Sequence, residues 1–172
     1  QPNLAIVFKP SANSAAFINA IEVVSAPDTL ISDTGTNLSP VNDFPLSGHA
    51  YQTVYRLNMG GPMITSGNDT LQRTWQSDSA YLKNPAAAVN VSTSPSTIQY
   101  PDGSSPLIAP PAVYSSAEQM ADSETRGQNF NVTWNLTVVG TYNYLVRLHF
   151  CDIVSKSLDD LYFNVYINGK TA

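Results

Sequence analysis

The chain has 172 residues, enough for one β-sandwich with flanking segments. Apolar residues make up 42% of it, which is globular, but charged residues only 12%, about half the usual share. The net charge of −5 and pI near 4.7 exclude a nucleic-acid binder, which needs a basic footprint, and suit a basic partner.

Serine and threonine stand in for the missing charge, with 19 Ser and 14 Thr. Low charge with abundant Ser, Thr, Asn and Pro fits an extracellular β domain better than a cytosolic enzyme. No apolar run reaches the eighteen or so residues of a membrane span, and no signal peptide opens the chain. Both ends fall in or beside strand-like sequence, which predicts a piece of a longer polypeptide.

In chain order, residues 3–8 and 15–25 read as two strands of a hairpin. The β-branched Ile18, Ile21, Val23 and Val24 favour strand over helix. From 26 to 48 the composition shifts to Pro, Gly, Asp and Asn, which predicts a connector. A strand follows at 51–58, closed by a turn through Met59, Gly60, Gly61 and Pro62. Short extended pieces are expected at 89–93 and 97–100, and a strand end at 113–120. The loops at 59–88 and 101–112 are long for mere connections and are the expected binding surface.

Three alternations of period two then occupy 131–167, the pattern of half-buried strands. Val132, Trp134, Leu136 and Val138 oppose Asn131, Thr133, Asn135 and Thr137. Tyr144, Val146, Leu148 and Phe150 oppose Leu145, Arg147, His149 and Cys151. Phe163, Val165 and Ile167 oppose Tyr162, Asn164 and Tyr166. Trp134 is expected in the core. The fold class read from the pattern is all-β, with no helical periodicity.

Five glycosylation sequons occur, at Asn37, Asn68, Asn90, Asn131 and Asn135. Chance alone would supply about three, so the excess is modest. Glycans at Asn131 and Asn135 would place that strand face in solvent. The single Cys151 forms no disulfide within the chain and is expected to be a buried free thiol.

No catalytic constellation emerges. His149 and Cys151 share a strand face, but such neighbours sit roughly 6.5 to 7 Å apart, too far for an activated nucleophile. Asp78, Asp122, Asp152, Asp159 and Asp160 show no metal-ligand spacing and read as solvated loop acids. The stretch 58–62 lacks the glycine spacing and lysine of a phosphate loop. Neither a metal site nor a cofactor is expected. Sugar sites use aromatic platforms with a few polar groups. Tyr55, Trp75, Tyr81, Tyr100 and Tyr114, in or beside loops, are the candidate ligand-binding residues.

The strings AFINAIEVVSAPD (16–28), YRLNMGGP (55–62), DTLQRTW (69–75), VYSSAEQM (113–120) and YLVRLHFCDIVSKSLDDLYFNVYING (144–169) carry a resemblance over nearly the whole chain. The chain resembles the ectodomain of plant malectin-like receptor kinases. This Catharanthus roseus-type group includes FERONIA, ANXUR, HERCULES and THESEUS, and HFCDIVSKSL and AEQMAD look most like the THESEUS type.

The resemblance implies a malectin-like antiparallel β-sandwich of jelly-roll type. Residues 1–30 would be the C-terminal strands of a first domain, 31–50 a connector, and 51–172 a second domain without its last strands. It implies a ligand-sensing module outside the plasma membrane, not itself an enzyme, with the family's kinase elsewhere on the polypeptide. Implied partners are rapid alkalinization factor peptides, a GPI-anchored LORELEI-like co-receptor, and pectin or another cell-wall glycan. A cell-wall carbohydrate-binding module is the alternative reading. Animal malectin carries aromatics where this chain has Val154 and Ser155, so a malectin-type disaccharide site is not expected. Pectin would need a basic patch, and Arg56, Arg73 and Arg147 are scattered in sequence.

Overall fold

A computed structural model describes residues 3–31, 34–121, 131–157 and 160–172. Its regular structure is short strands with very little helix. Strands β1 (Thr34–Leu38) and β2 (Val41–Pro45) form a hairpin with Gly35 opposite Phe44. Strands β3 (Leu57–Asn58) and β4 (Gln76–Ser77) pair in parallel. Strands β5 (Ala88–Ser92) and β6 (Ser116–Met120) pair antiparallel with Asn90 opposite Glu118. Strands β7 (Tyr166–Ile167) and β8 (Lys170–Thr171) close a last hairpin. The described helix α1 is one turn, Pro111–Tyr114, with Pro111 in its first turn, where a missing N–H does no harm.

The hairpin β1–β2 stands inside the stretch read as a connector. Its low apolar content hid it, since Leu46 is the buried hydrophobe beneath it. Conversely, residues 3–8 and 15–25 carry no ladder, although the turn between them is present, with the Ser14 amide donating to the Ser11 carbonyl at 3.1 Å. Of the strand expected at 51–58 only Leu57–Asn58 is paired, and Pro95–Thr97 is a 3₁₀ turn that consumes part of the extended piece expected at 97–100.

The three alternations behave differently from one another. Residues 133–135 bridge to 81–83: the Lys83 amide donates to the Thr133 carbonyl at 2.9 Å and the Asn135 amide to the Tyr81 carbonyl at 2.8 Å. Trp134 is half-buried there rather than fully in the core. Residues 144–151 have no ladder partner among the described residues, and of the third run only Tyr166–Ile167 is paired. Period two states which faces seek burial. It does not supply the neighbouring strand, and without one the alternation leaves side chains such as Phe150 and Phe163 exposed.

The buried core gathers Ile64, Trp75, Ala109 and Val113, with Ala112 and Tyr114 packed on it. An antiparallel bridge joins Ile64 to Trp75. The turn after β3 is locked beside this core. Asn58 Nδ2 donates to the Pro62 carbonyl at 2.9 Å, and Ser116 Oγ reaches Asn58 Oδ1 and the Met59 carbonyl. Gly60 has φ +65°, and a Cβ there would strike the Ala117 carbonyl of β6, so position 60 requires glycine.

Candidate functional site

Two buried aspartates organise the loops. In the 66–75 loop the Asp69 carboxylate accepts from the Leu71 amide (2.8 Å), the Arg73 amide (3.3 Å), Arg73 Nε (2.9 and 3.0 Å) and Trp75 Nε1 (2.8 Å). Burial alone would raise this carboxyl. The hydrogen bonds from Arg73, Trp75 and the two amides outweigh it and hold the carboxyl below its ordinary value. They also sustain Gln72 at φ +56°. Asp78 accepts from the Gly60 amide at 3.0 Å through Oδ1 and from Trp134 Nε1 at 2.7 Å through Oδ2. It is 1% exposed, not the solvated loop acid expected from sequence.

Above this frame lies a chain of rings. Tyr100 meets Tyr114 edge-on at 5.7 Å, Tyr114 meets His149 at 5.8 Å, and His149 meets Trp75 at 5.6 Å. Tyr114 Oη lies 3.0 Å from His149 Nδ1, and the Tyr100 hydroxyl donates to the Ala109 carbonyl at 2.7 Å. Burial, then Tyr114 and Cys151, push the Tyr100 hydroxyl up to about 12. Burial, reinforced by Arg147 and Arg73, lowers His149 to about 4. Tyr100 and Tyr114, with Ile98, Pro101, Phe150 and Cys151, line a small cavity of about 120 Å³.

Of the five aromatic residues nominated from sequence, the structure joins Trp75, Tyr100 and Tyr114 in this cluster. Tyr55 and Tyr81 form a second pair, 5.4 Å apart and T-shaped, with the Tyr55 hydroxyl on the Thr137 carbonyl at 2.6 Å. Tyr55, Tyr81, Tyr100 and Tyr114 are half-buried and offer part of each ring to solvent. Trp75 is 4% exposed and supports the loop from within. His149, which the sequence presented as one residue of a strand face, is the link between two loops. Asp69 carried a local signal, an Asp two residues before Leu71 and four before Arg73, the spacing of an Asx turn with an ion pair. Asp78 carried none.

The arginines scattered in sequence converge. Arg56 and Arg73 place their guanidinium carbons 5.6 and 5.4 Å from the Trp75 ring. Each is engaged within the chain: Arg56 on Thr53 Oγ1, Arg73 on Asp69 and the Ile108 carbonyl, and Arg147 on the Leu30 carbonyl.

Cys151 is free and exposed, in contrast to the buried thiol expected, because its strand has no neighbour to cover it among the described residues. Asp152 bonds the amides of Val154 and Ser155, and Asp160 bonds Ser157. Asp122 and Asp159 lie outside the described residues. Among the described residues no group of three or more His, Cys, Asp or Glu could hold a metal ion. All five sequon asparagines, Asn37, Asn68, Asn90, Asn131 and Asn135, are exposed.

The malectin-like domain model matches residues 1–172. The chain belongs to the malectin-like family. It is 62% identical over 98% of its length to the probable receptor-like protein kinase At2g21480 of Arabidopsis thaliana, covering 19% of that protein. It is 48% identical over 98% of its length to the Arabidopsis receptor-like protein kinase THESEUS 1, covering 20% of it. The chain thus spans about a fifth of the length of these receptor kinases. A crystal structure of the plant peptide RALF23 in complex with FER and LLG2 matches 49% of this chain and 23% of that one, at 36% identity and a TM-score of 0.42. The malectin-like chain is all-β and comprises only the ectodomain-type segment of such kinases, the non-catalytic part. Among the described residues no helix is long and apolar enough to cross a membrane.

Proposed function

We propose that the chain is part of the extracellular, ligand-sensing portion of a plant cell-surface receptor kinase, recognising a small, basic, secreted peptide of the rapid alkalinization class. The match of the malectin-like family to every residue of the chain is the observation that supports this most. The charge supports it too: a net −5 favours encounter with a basic ligand through long-range attraction. A GPI-anchored LORELEI-like co-receptor belongs to the same proposal. So does the division into closing strands of a first domain at 1–30, a connector at 31–50, and a second domain from 51. The half-buried Tyr55, Tyr81, Tyr100 and Tyr114 are the proposed contacts, and the five exposed asparagines the proposed glycan carriers.

A cell-wall glycan is the second reading, favoured by the approach of Arg56 and Arg73 to Trp75. The Arg73 charge is already paired with Asp69, which leaves less positive charge for an acidic sugar. Calorimetric titration with a rapid alkalinization peptide and with oligogalacturonides tests the two. Saturable heat from the peptide alone is the expected result. Heat from the sugar alone overturns the peptide reading.

A further inference from the structure

We propose that His149 is an acid-sensitive latch: as a neutral imidazole it pins residues 144–151 onto the two loops that carry Trp75 and Tyr114, and on protonation it loosens that hold. The geometry is specific. The 144–151 segment has no ladder partner among the described residues, so side-chain contacts hold it. His149 makes three of them, with rings edge-on to Trp75 and Tyr114 and Nδ1 3.0 Å from the Tyr114 hydroxyl. Through these contacts it fastens the segment to both the 66–75 loop and the 100–114 region, which are themselves joined by the Arg73 bond to the Ile108 carbonyl.

The surroundings oppose a positive charge. Arg147 comes from the same segment, and Arg73 from the loop beneath, where it and Arg56 lie over the Trp75 ring. Asp69 is nearby but spends its carboxylate on Arg73 and the Trp75 indole. Tyr114 and Tyr100 are neutral phenols, and the exposed Cys151 thiol is pushed up by partial desolvation and then by Asp152, so it offers no countercharge. An imidazolium would meet the charges of Arg147 and Arg73 in a desolvated site. It would also fix Nδ1 as a donor, so the Tyr114 hydroxyl could then only accept from it.

The sign follows from linkage. An unfolded or released histidine takes its proton near 6.5, and the packed one only near 4. Release therefore takes up a proton, and the latch loses strength as pH falls through that interval. From about pH 7.5 to about pH 5 the folded-to-unfolded ratio should drop about 10- to 30-fold more than in a chain without this group.

Two measurements decide it. The chain contains two histidines, and the imidazole proton resonance that disappears in His149→Phe identifies His149. Its NMR titration midpoint in the wild-type chain should lie well below 6.5, and a midpoint at or above 6.5 overturns the latch. Denaturant unfolding of wild type, His149→Phe and His149→Gln across the same pH range gives the second readout. Both variants should lose the extra 10- to 30-fold pH dependence. If either keeps the wild-type slope, the latch is wrong. Should neither variant fold, the wild-type titration midpoint still decides between the outcomes.

Discussion

Asp78 Oδ2 accepts the indole N–H of Trp134 at 2.7 Å across 56 residues of sequence. The same carboxylate takes the Gly60 amide through its other oxygen. One buried side chain thus ties the turn after β3 to the segment bridged with 81–83. Asp78→Ala should destabilise the chain by about 2–4 kcal/mol, because the buried Gly60 amide and the half-buried Trp134 indole lose their acceptor. Asp78→Asn should fall between, since an amide supplies one acceptor oxygen in place of two. Denaturant midpoints check both, and an Asp78→Ala midpoint equal to wild type would rule out this role.

Asp69 does the parallel work for the 66–75 loop, with a side chain that is 0% exposed. Asp69→Ala strands the Arg73 guanidinium and the Trp75 indole and should cost about 3–5 kcal/mol. The carboxyl is held below its ordinary 3.8 by the hydrogen bonds it accepts. Its contribution is present at neutral pH and is lost as pH falls through that value and below. Acid unfolding curves should therefore separate wild type from Asp69→Asn at neutral pH and converge at strongly acidic pH. Curves that stay equally separated to the acid end count against the assignment.

Gly60→Ala combines a left-handed φ with a collision against the Ala117 carbonyl. We expect a loss of more than about 2 kcal/mol. Gly103, also at positive φ, meets nothing within 4 Å. Gly103→Ala should cost only about 1 kcal/mol, from the backbone alone. Equal thermal midpoints for the two variants would contradict the packing described around β6.

Glu118 in β6 has a buried Oε2 without a partner. Burial first, then the charge of Asp78, raise its carboxyl above the ordinary value. A raised carboxyl favours folding most at pH below its unfolded value, and that contribution is lost as pH rises through the folded value. Glu118→Gln should thus stabilise the chain at neutral pH and leave it little changed in acid. Stability measured at both pH values reads this directly, and a variant weaker than wild type at neutral pH would count against it.

Much of the fold was legible where the signal is local. The paired Ala88–Ser92 falls on the β-branched run at 89–93, and the turn at 59–62 on its two glycines. The partners were not legible. Nothing near residue 134 points to Asp78, and nothing near His149 points to Trp75, because both contacts depend on how loops return in space. The hairpin at 34–45 is hard to read from sequence because Gly, Asn, Asp and Pro are depleted in strands, and among its large apolar residues Leu38 and Phe44 are only half-buried. At the candidate site, aromatic character found the tyrosines. It could not show that Trp75 faces inward, since burial is set by the bridge to Ile64.

We propose that this malectin-like chain recognises a basic peptide through its acidic charge and its tyrosine-bearing loops. The most direct measurement is the Kd of a rapid alkalinization peptide at increasing salt, for wild type and for a Tyr81→Ala, Tyr100→Ala double variant. Screening should weaken wild-type binding steadily as the Debye length shrinks from about 10 Å toward about 3 Å. The double variant should bind more weakly at every salt concentration. An affinity unchanged by salt, or a double variant that binds as wild type does, would contradict the account.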